Sequence, residues 1–285
     1  MKIQKLYLKG DKQVNEDACV VNEEAQVFAA IDGATGLGGT PGYLASQTFH
    51  KQLTEMKHYS SLYTTIKNAN ETLGRTMVDY YEANIGKIAS RSLREIPKKQ
   101  RSTTGLATIK LHAQKSMLEY VHTGDCMLFL QFKNEEVYSV THDAIQYFDS
   151  LAVEEMVRLR EKNPEISLKD VREKVNPILL RNRGLLNTPE GYGILDGSEN
   201  ALAYLSHGRV PLHQVKGILL VSDGLLLPQK IEEERGWRQT AKLAFDHGLD
   251  GLVKEVEKRE SDDAECRIYP RLKQRDDKTG ILLKW

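Results

Sequence analysis

The 285-residue sequence carries no surplus charge: 40 Lys and Arg stand against 40 Asp and Glu, and the formal net charge at pH 7 is 0. Neutralising the phosphates of nucleic acid or of an anionic membrane takes an excess of Lys and Arg. Neither nucleic acid nor membrane is therefore an expected partner. Cysteine is scarce. Cys19, Cys126 and Cys266 are odd in number, far apart and never in a CxxC pair, which argues against a disulfide framework or a structural zinc site and for a reducing, cytoplasmic setting. No apolar run approaches the roughly 20 residues that span a bilayer. Lysines interrupt the apolar residues of Met1–Lys12, so the stretch lacks the core of a signal peptide. A soluble, unprocessed protein is expected.

Several catalytic signatures are missing as well. The glycine-rich stretch Asp32–Gly42 has Pro41 where GxGxxG needs its third glycine, and two helical patterns follow it instead of a parallel strand. There is no Gly-Lys-Ser/Thr of a P-loop, no GxSxG elbow and no HExxH. The histidines are scattered; His142, beside Asp143, reads as a surface or core residue.

What the sequence does contain is a set of strand-length apolar runs, each with carboxylates at one end. Ala18–Val21 follows Glu16-Asp17, Val27–Ile31 precedes Asp32, and Met117–Thr123 precedes Gly124-Asp125. Later, Gly217–Val221 precedes Ser222-Asp223, and Ile281–Trp285 follows Asp276-Asp277. Strands with acid at the front and strands with acid at the back share one sheet edge only if the two classes run antiparallel. Asn22-Glu23-Glu24-Ala25 supplies a hairpin turn between the first two strands, which would set Asp17 and Asp32 side by side.

Helical periodicity fills much of the rest. Leu44, Phe49, Leu53 and Met56 fall near helical spacing, and Leu62, Ile66, Ala69, Leu73, Met77, Tyr81, Ile85 and Ile88 recur every three or four residues. A third helix is expected near Gln239–Lys258. Residues 148–183 look helical again, with Ser167 and Asp170 resembling a capping box, and Asn187–Gly193 is rich in turn residues. The basic stretch Arg91–Arg101 reads as an exposed, solvated connection into a strand near Thr103. Runs of strands broken by paired helices indicate an α+β fold with mostly antiparallel sheets. At about 150 residues per domain the length allows one large or two small domains. No composition break divides the chain, so a single domain over 1–285 with an inserted helical segment at about 146–200 is expected.

Converging carboxylates without a matching set of His or Cys suit hard divalent cations such as Mg²⁺ or Mn²⁺. Two such ions about 3.5–4 Å apart lower the pKa of a water and hold phosphoryl oxygens for in-line attack, which suits phosphoester hydrolysis without a protein nucleophile.

In this order the motifs resemble those of the metal-dependent Ser/Thr protein phosphatases, the PPM or type 2C family. The resemblance runs from Asn15-Glu16-Asp17 through Asp32-Gly33, Ser102-Thr103-Thr104, Gly124-Asp125, Thr141-His142-Asp143 and Ser222-Asp223-Gly224 to Asp276-Asp277-Lys278-Thr279. It implies a four-layer α-β-β-α sandwich, two antiparallel sheets flanked by helix pairs, with two Mn²⁺ or Mg²⁺ ions at one edge. It further implies Asp17, Asp32, Asp223 and Asp276 as metal carboxylates, the Gly33 carbonyl completing one ion, and Glu16 orienting water at the ions. Asp125 matches the family's additional, weaker metal site shared with Asp223. The segment 146–200 corresponds to a flap over the substrate, where Arg181 and Arg183 would meet phosphate. The implied substrate is a phosphorylated protein; the alternatives are a phosphatase of small phosphoesters and a catalytically silent binding module of the same fold.

Some positions depart from the family pattern. Lys12 stands where many members have an arginine that grips phosphate, and supplies the charge without the bidentate fork. Ala34 replaces a histidine that some members use near the leaving group, so no residue is matched to the leaving-group proton donor. Leu227 stands where an aspartate is usual four residues past Asp223, which argues against a third ion.

Overall fold

The computed structural model describes residues 1–112, 114, 116–233 and 236–285. The chain alternates hairpins and helix pairs: β1 (Lys2–Leu8), β2 (Ala18–Asn22) and β3 (Val27–Ala34) precede α1 (Gly42–Thr54) and α2 (Leu62–Asn84). Then come β4 (Thr103–His112), β5 (Met117–Thr123), β6 (Met127–Phe132) and β7 (Val137–Ser139), followed by α3 (Gln146–Lys162) and α4 (Leu168–Gly184). The last elements are β8 (Ser206–Pro211), β9 (Val215–Val221), α5 (Trp237–Asp262) and β10 (Lys278–Lys284).

The strands form two antiparallel sheets, β1-β10-β9-β6-β7 and β2-β3-β4-β5-β8. The central strands are apolar on both faces, because each sheet is covered on both sides. Along β3, Val27, Ala29 and Ile31 face α1 and α2, where they meet Phe49, Leu53, Ile66 and Leu73. The alternate residues Phe28 and Ala30 face the other sheet and meet Ile218, Leu220, Ile281 and Leu283. On β9 the period of two runs the same way: Leu219 and Val221 turn outward to Phe245, Leu249 and Leu252 of α5. The result is the expected four-layer α+β sandwich. Its second helical layer is one broken helix, since Gly248 (φ 75°, ψ 178°) interrupts α5 and divides it in two.

Several expectations meet the structure element by element. The hairpin turn before Val27 pairs Ala18 with Ile31, so Asp17 and Asp32 stand opposite each other one step further along. The acid-bearing ends, however, do not lie on a single sheet edge. Asp17 and Asp32 flank strands of one sheet while Asp223 and Asp276 flank β9 and β10 of the other, and the acids meet where the ends of the stacked sheets adjoin. The basic connection is not wholly solvated either. Arg101 is buried, donates to Asp196 Oδ2 at 3.0 Å and binds the carbonyls of Ile96 and Leu93. Ser167 caps α4 as its spacing suggested: its Oγ accepts from the Asp170 N–H at 3.1 Å and donates to the Asp170 carboxylate at 2.8 Å.

Candidate metal centre

Rigid strand ends set the backbone positions of the acids. Asp32 lies near the end of β3, Asp223 lies two residues past β9, and Asp276 lies two residues before β10. Asp125 sits in the tight link by which the chain leaves β5 in one sheet for β6 in the other; Gly124 makes that turn at φ 81°. The structure brings carboxylate oxygens of Asp32, Asp125 and Asp223 within 4.8 Å of one another.

Asp17 joins them from the start of β2. It is 2% exposed, and its Oδ2 accepts the Ser222 hydroxyl at 2.8 Å. Burial, then the charges of Asp276 and Asp223, push its carboxyl far above the usual range. Asp32 is pushed the same way by burial and by Asp223, Asp17 and Asp125. Mutual repulsion of this kind is what a bound cation relieves.

Close backbone contacts hold the loops in register. Asp277, next to Asp276, accepts the N–H groups of Gly10 and Glu16, each at 2.8 Å, and so fastens the loop before β2 to the start of β10. A Cβ at Gly33 would stand 2.2 Å from the Glu16 carbonyl oxygen, and one at Gly224 would stand 1.8 Å from that of Asp277. Only glycine lets these chain segments pass.

Glu16 is buried and fully engaged. Its carboxylate accepts from Lys12, from the Thr35 hydroxyl and, at 2.8 Å, from the Gly42 N–H. Burial raises its pKa, but the bonds from Lys12 and Thr35 outweigh that and hold the carboxyl below its ordinary value. Lys12 thus stands on Glu16, beside the acids. Of the two arginines singled out in the helical segment, Arg181 is exposed. Arg183 reaches back to the loop after β3, where it donates to the carbonyls of Thr35 at 2.8 Å and Ala34 at 3.4 Å and to Thr103 Oγ1 at 3.2 Å.

Sequence reasoning missed one participant. Lys273 pairs with Asp276, and no periodicity or motif marks a lysine in a loop three residues before an aspartate. Its loop is strapped to the helical pair α3 and α4. Leu272 packs among Ala152, Met156, Val171 and Val175, and Arg172 donates to the Leu272 carbonyl. Arg160 donates to the carbonyl of Glu265 at 2.6 Å, and Arg267 to those of Pro164 at 2.6 Å and Ile166 at 2.9 Å.

Beside Gly124 lies a cleft of about 340 Å³ lined by His122, His142, Tyr147, Tyr192 and Tyr204, among others. Burial, then the charge of neighbouring His142, push the His122 imidazole down to about 4, with the Cys126 backbone acting in the opposite sense. His122 therefore faces the cleft neutral at pH 7.

Acids gathered at the adjoining ends of two stacked antiparallel sheets form a cluster that could hold a metal ion. The profile of the protein phosphatase 2C family matches residues 9–251, and the chain belongs to that family and is a phosphatase. The structure resembles that of the Mycobacterium tuberculosis serine/threonine phosphatase PstP/Ppp, at 16% identity and a TM-score of 0.54, with 99% of this chain and 97% of that one covered. A PstP catalytic domain in complex with two manganese ions gives 16% identity and a TM-score of 0.55 over 99% and 96% of the two chains. Staphylococcus aureus serine/threonine phosphatase Stp1 gives 15% and 0.55 over 100% and 94%. At such identities the likeness concerns the fold. No curated protein sequence matches the chain. Among the described residues no helix is long and apolar enough to cross a membrane.

Proposed function

We propose that the protein is a Mn²⁺- or Mg²⁺-dependent phosphatase of phosphoserine and phosphothreonine in proteins. The observation that carries this reading is the convergence of Asp32, Asp125 and Asp223, with Asp17 and Asp276 close enough for their charges to act on one another. This donor set is all hard oxygen, which suits these ions. Asp32, Asp223 and Asp276 would hold one ion, and Asp17 and the Gly33 carbonyl would complete the second; Asp125 borders the first through Asp32 and Asp223. A pair of divalent ions bound there supplies a water of lowered pKa and neutralises phosphoryl charge.

The remaining roles fall to the chain's own groups. Ser222 fixes the orientation of Asp17, and Asp277 fixes the loop that carries it. Glu16 holds Lys12 at the rim, where its ammonium faces incoming phosphate. The helical pair with its following loop, 146–200, serves as the flap of a single domain. Arg183 ties that flap to the loop after β3, and exposed Arg181 is the cation left for a phosphorylated chain. The cleft of His122, His142 and the tyrosines would receive side chains next to the phosphorylated residue. Membership of the protein phosphatase 2C family supports a phosphoprotein substrate, and a cytoplasmic setting is part of the same proposal.

The test is phosphate release from an aryl phosphate and from a panel of phosphopeptides. Hydrolysis is expected with Mn²⁺, lost with chelator and lost in Asp223→Asn, with phosphopeptides preferred over small phosphoesters. Activity that survives both treatments would overturn the proposal.

A further inference from the structure

We propose that Lys273 is an internal counter-cation that competes with one divalent ion for the Asp276 side of the acidic centre, so that the ion binds only as the ammonium withdraws. The inference rests on the metal-dependent reading above and concerns how that centre fills. The Lys273 ammonium is paired with Asp276 Oδ2. The charges of Asp276, Asp223 and Asp32 all act on it. These are the three carboxylates assigned to one ion. A single positive charge on a flexible stem therefore stands within the field that would otherwise draw a double charge, and two cations at contact with the same oxygens repel.

The geometry gives the ammonium a way out. The Lys273 side chain is 39% exposed, so part of its stem already borders solvent. Its backbone cannot follow as freely, because Leu272 is embedded in the helical pair and bound by Arg172. Lys273 is thus a tethered cation: its backbone is anchored beside Leu272, which leaves the side chain as the part that would have to move. In the metal-free protein it offsets part of the repulsion among the acids, and its departure is a cost that metal binding must overcome. Lys12, the other lysine whose charge acts on Asp276, is held by Glu16 and takes no part in this exchange.

The experiment is calorimetric titration of Mn²⁺ into the full chain and into Lys273→Met and Lys273→Gln, together with thermal melts in chelator. The variants are expected to bind one ion about ten-fold more tightly than wild type and to melt lower when metal-free, having lost the counter-cation. Unchanged or weaker Mn²⁺ binding in a variant that melts cooperatively would overturn the proposal while leaving the metal centre standing. If Lys273→Met does not fold, Lys273→Gln decides by the same criterion. Failure of wild type and variants alike to bind Mn²⁺ would overturn the metal-dependent reading and this proposal with it.

Discussion

Asp17 offers a measure of what it costs to ionise a carboxyl in the buried acidic centre. Its carboxyl is raised from 3.8 to about 7, first by burial and then by Asp276 and Asp223. Between those values the folded protein binds a proton that the unfolded chain does not. The contribution of Asp17 to stability is therefore intact below pH 3.8 and is lost as pH rises through about 7. At about 1.4 kcal/mol per pH unit the loss is on the order of 4 kcal/mol. Asp17→Asn removes the ionisation yet keeps an oxygen to accept the Ser222 hydroxyl. In chelator at about pH 8 the variant should melt roughly 10 °C above wild type, and the gap should vanish toward about pH 4. Added Mn²⁺ should raise the wild-type melt much more than that of the variant, which lacks a ligand. Equal melting temperatures in chelator at about pH 8 would refute the reasoning.

Two other perturbations probe the scaffold. Gly33→Ala would drive a Cβ against the carbonyl oxygens of Glu16 and Gly42, at 2.2 and 2.8 Å, where only backbone could yield. A loss of about 1–3 kcal/mol and a reduced Mn²⁺-induced rise in melting temperature are expected; thermal melts with and without Mn²⁺ check both. Arg101→Met strands Asp196, which is fully buried, without its ionic partner. Urea denaturation should show a loss of about 3–5 kcal/mol, partly recovered in the double variant with Asp196→Asn.

The acids were legible in the sequence because they cap apolar runs, and those runs are apolar throughout because both faces of each central strand are covered. Val27–Ile31 and Gly217–Val221 announce themselves in this way. The edge strands β1 and β8 do not: in β1 only Leu6 is buried, and β8 is a short strand with Gly208 inside it and Pro211 at its end. β6 did carry a signal, the unbroken Met127–Leu130, directly after Asp125. That the acids come from two sheets follows from pairing between distant segments, which strand direction alone does not encode. Arg101 looked solvated because its charge was read with its neighbours' charges; its partner, Asp196, is far along the chain. Lys273 was silent for the same reason. A loop cation is given its meaning by where the loop docks, and that depends on Leu272 meeting α3 and α4.

The order of the first sheet also bears on synthesis. β1 finds its neighbour only in β10, and Asp276 emerges from the ribosome just ahead of that strand. Until those residues are made, the first strand has an open edge and the centre lacks the carboxylate that Lys273 holds. A nascent chain can complete the second sheet, β2-β3-β4-β5-β8, and its helices much earlier. The first sheet therefore closes through a pairing that joins its two most distant strands, the kind of non-local step that slows folding.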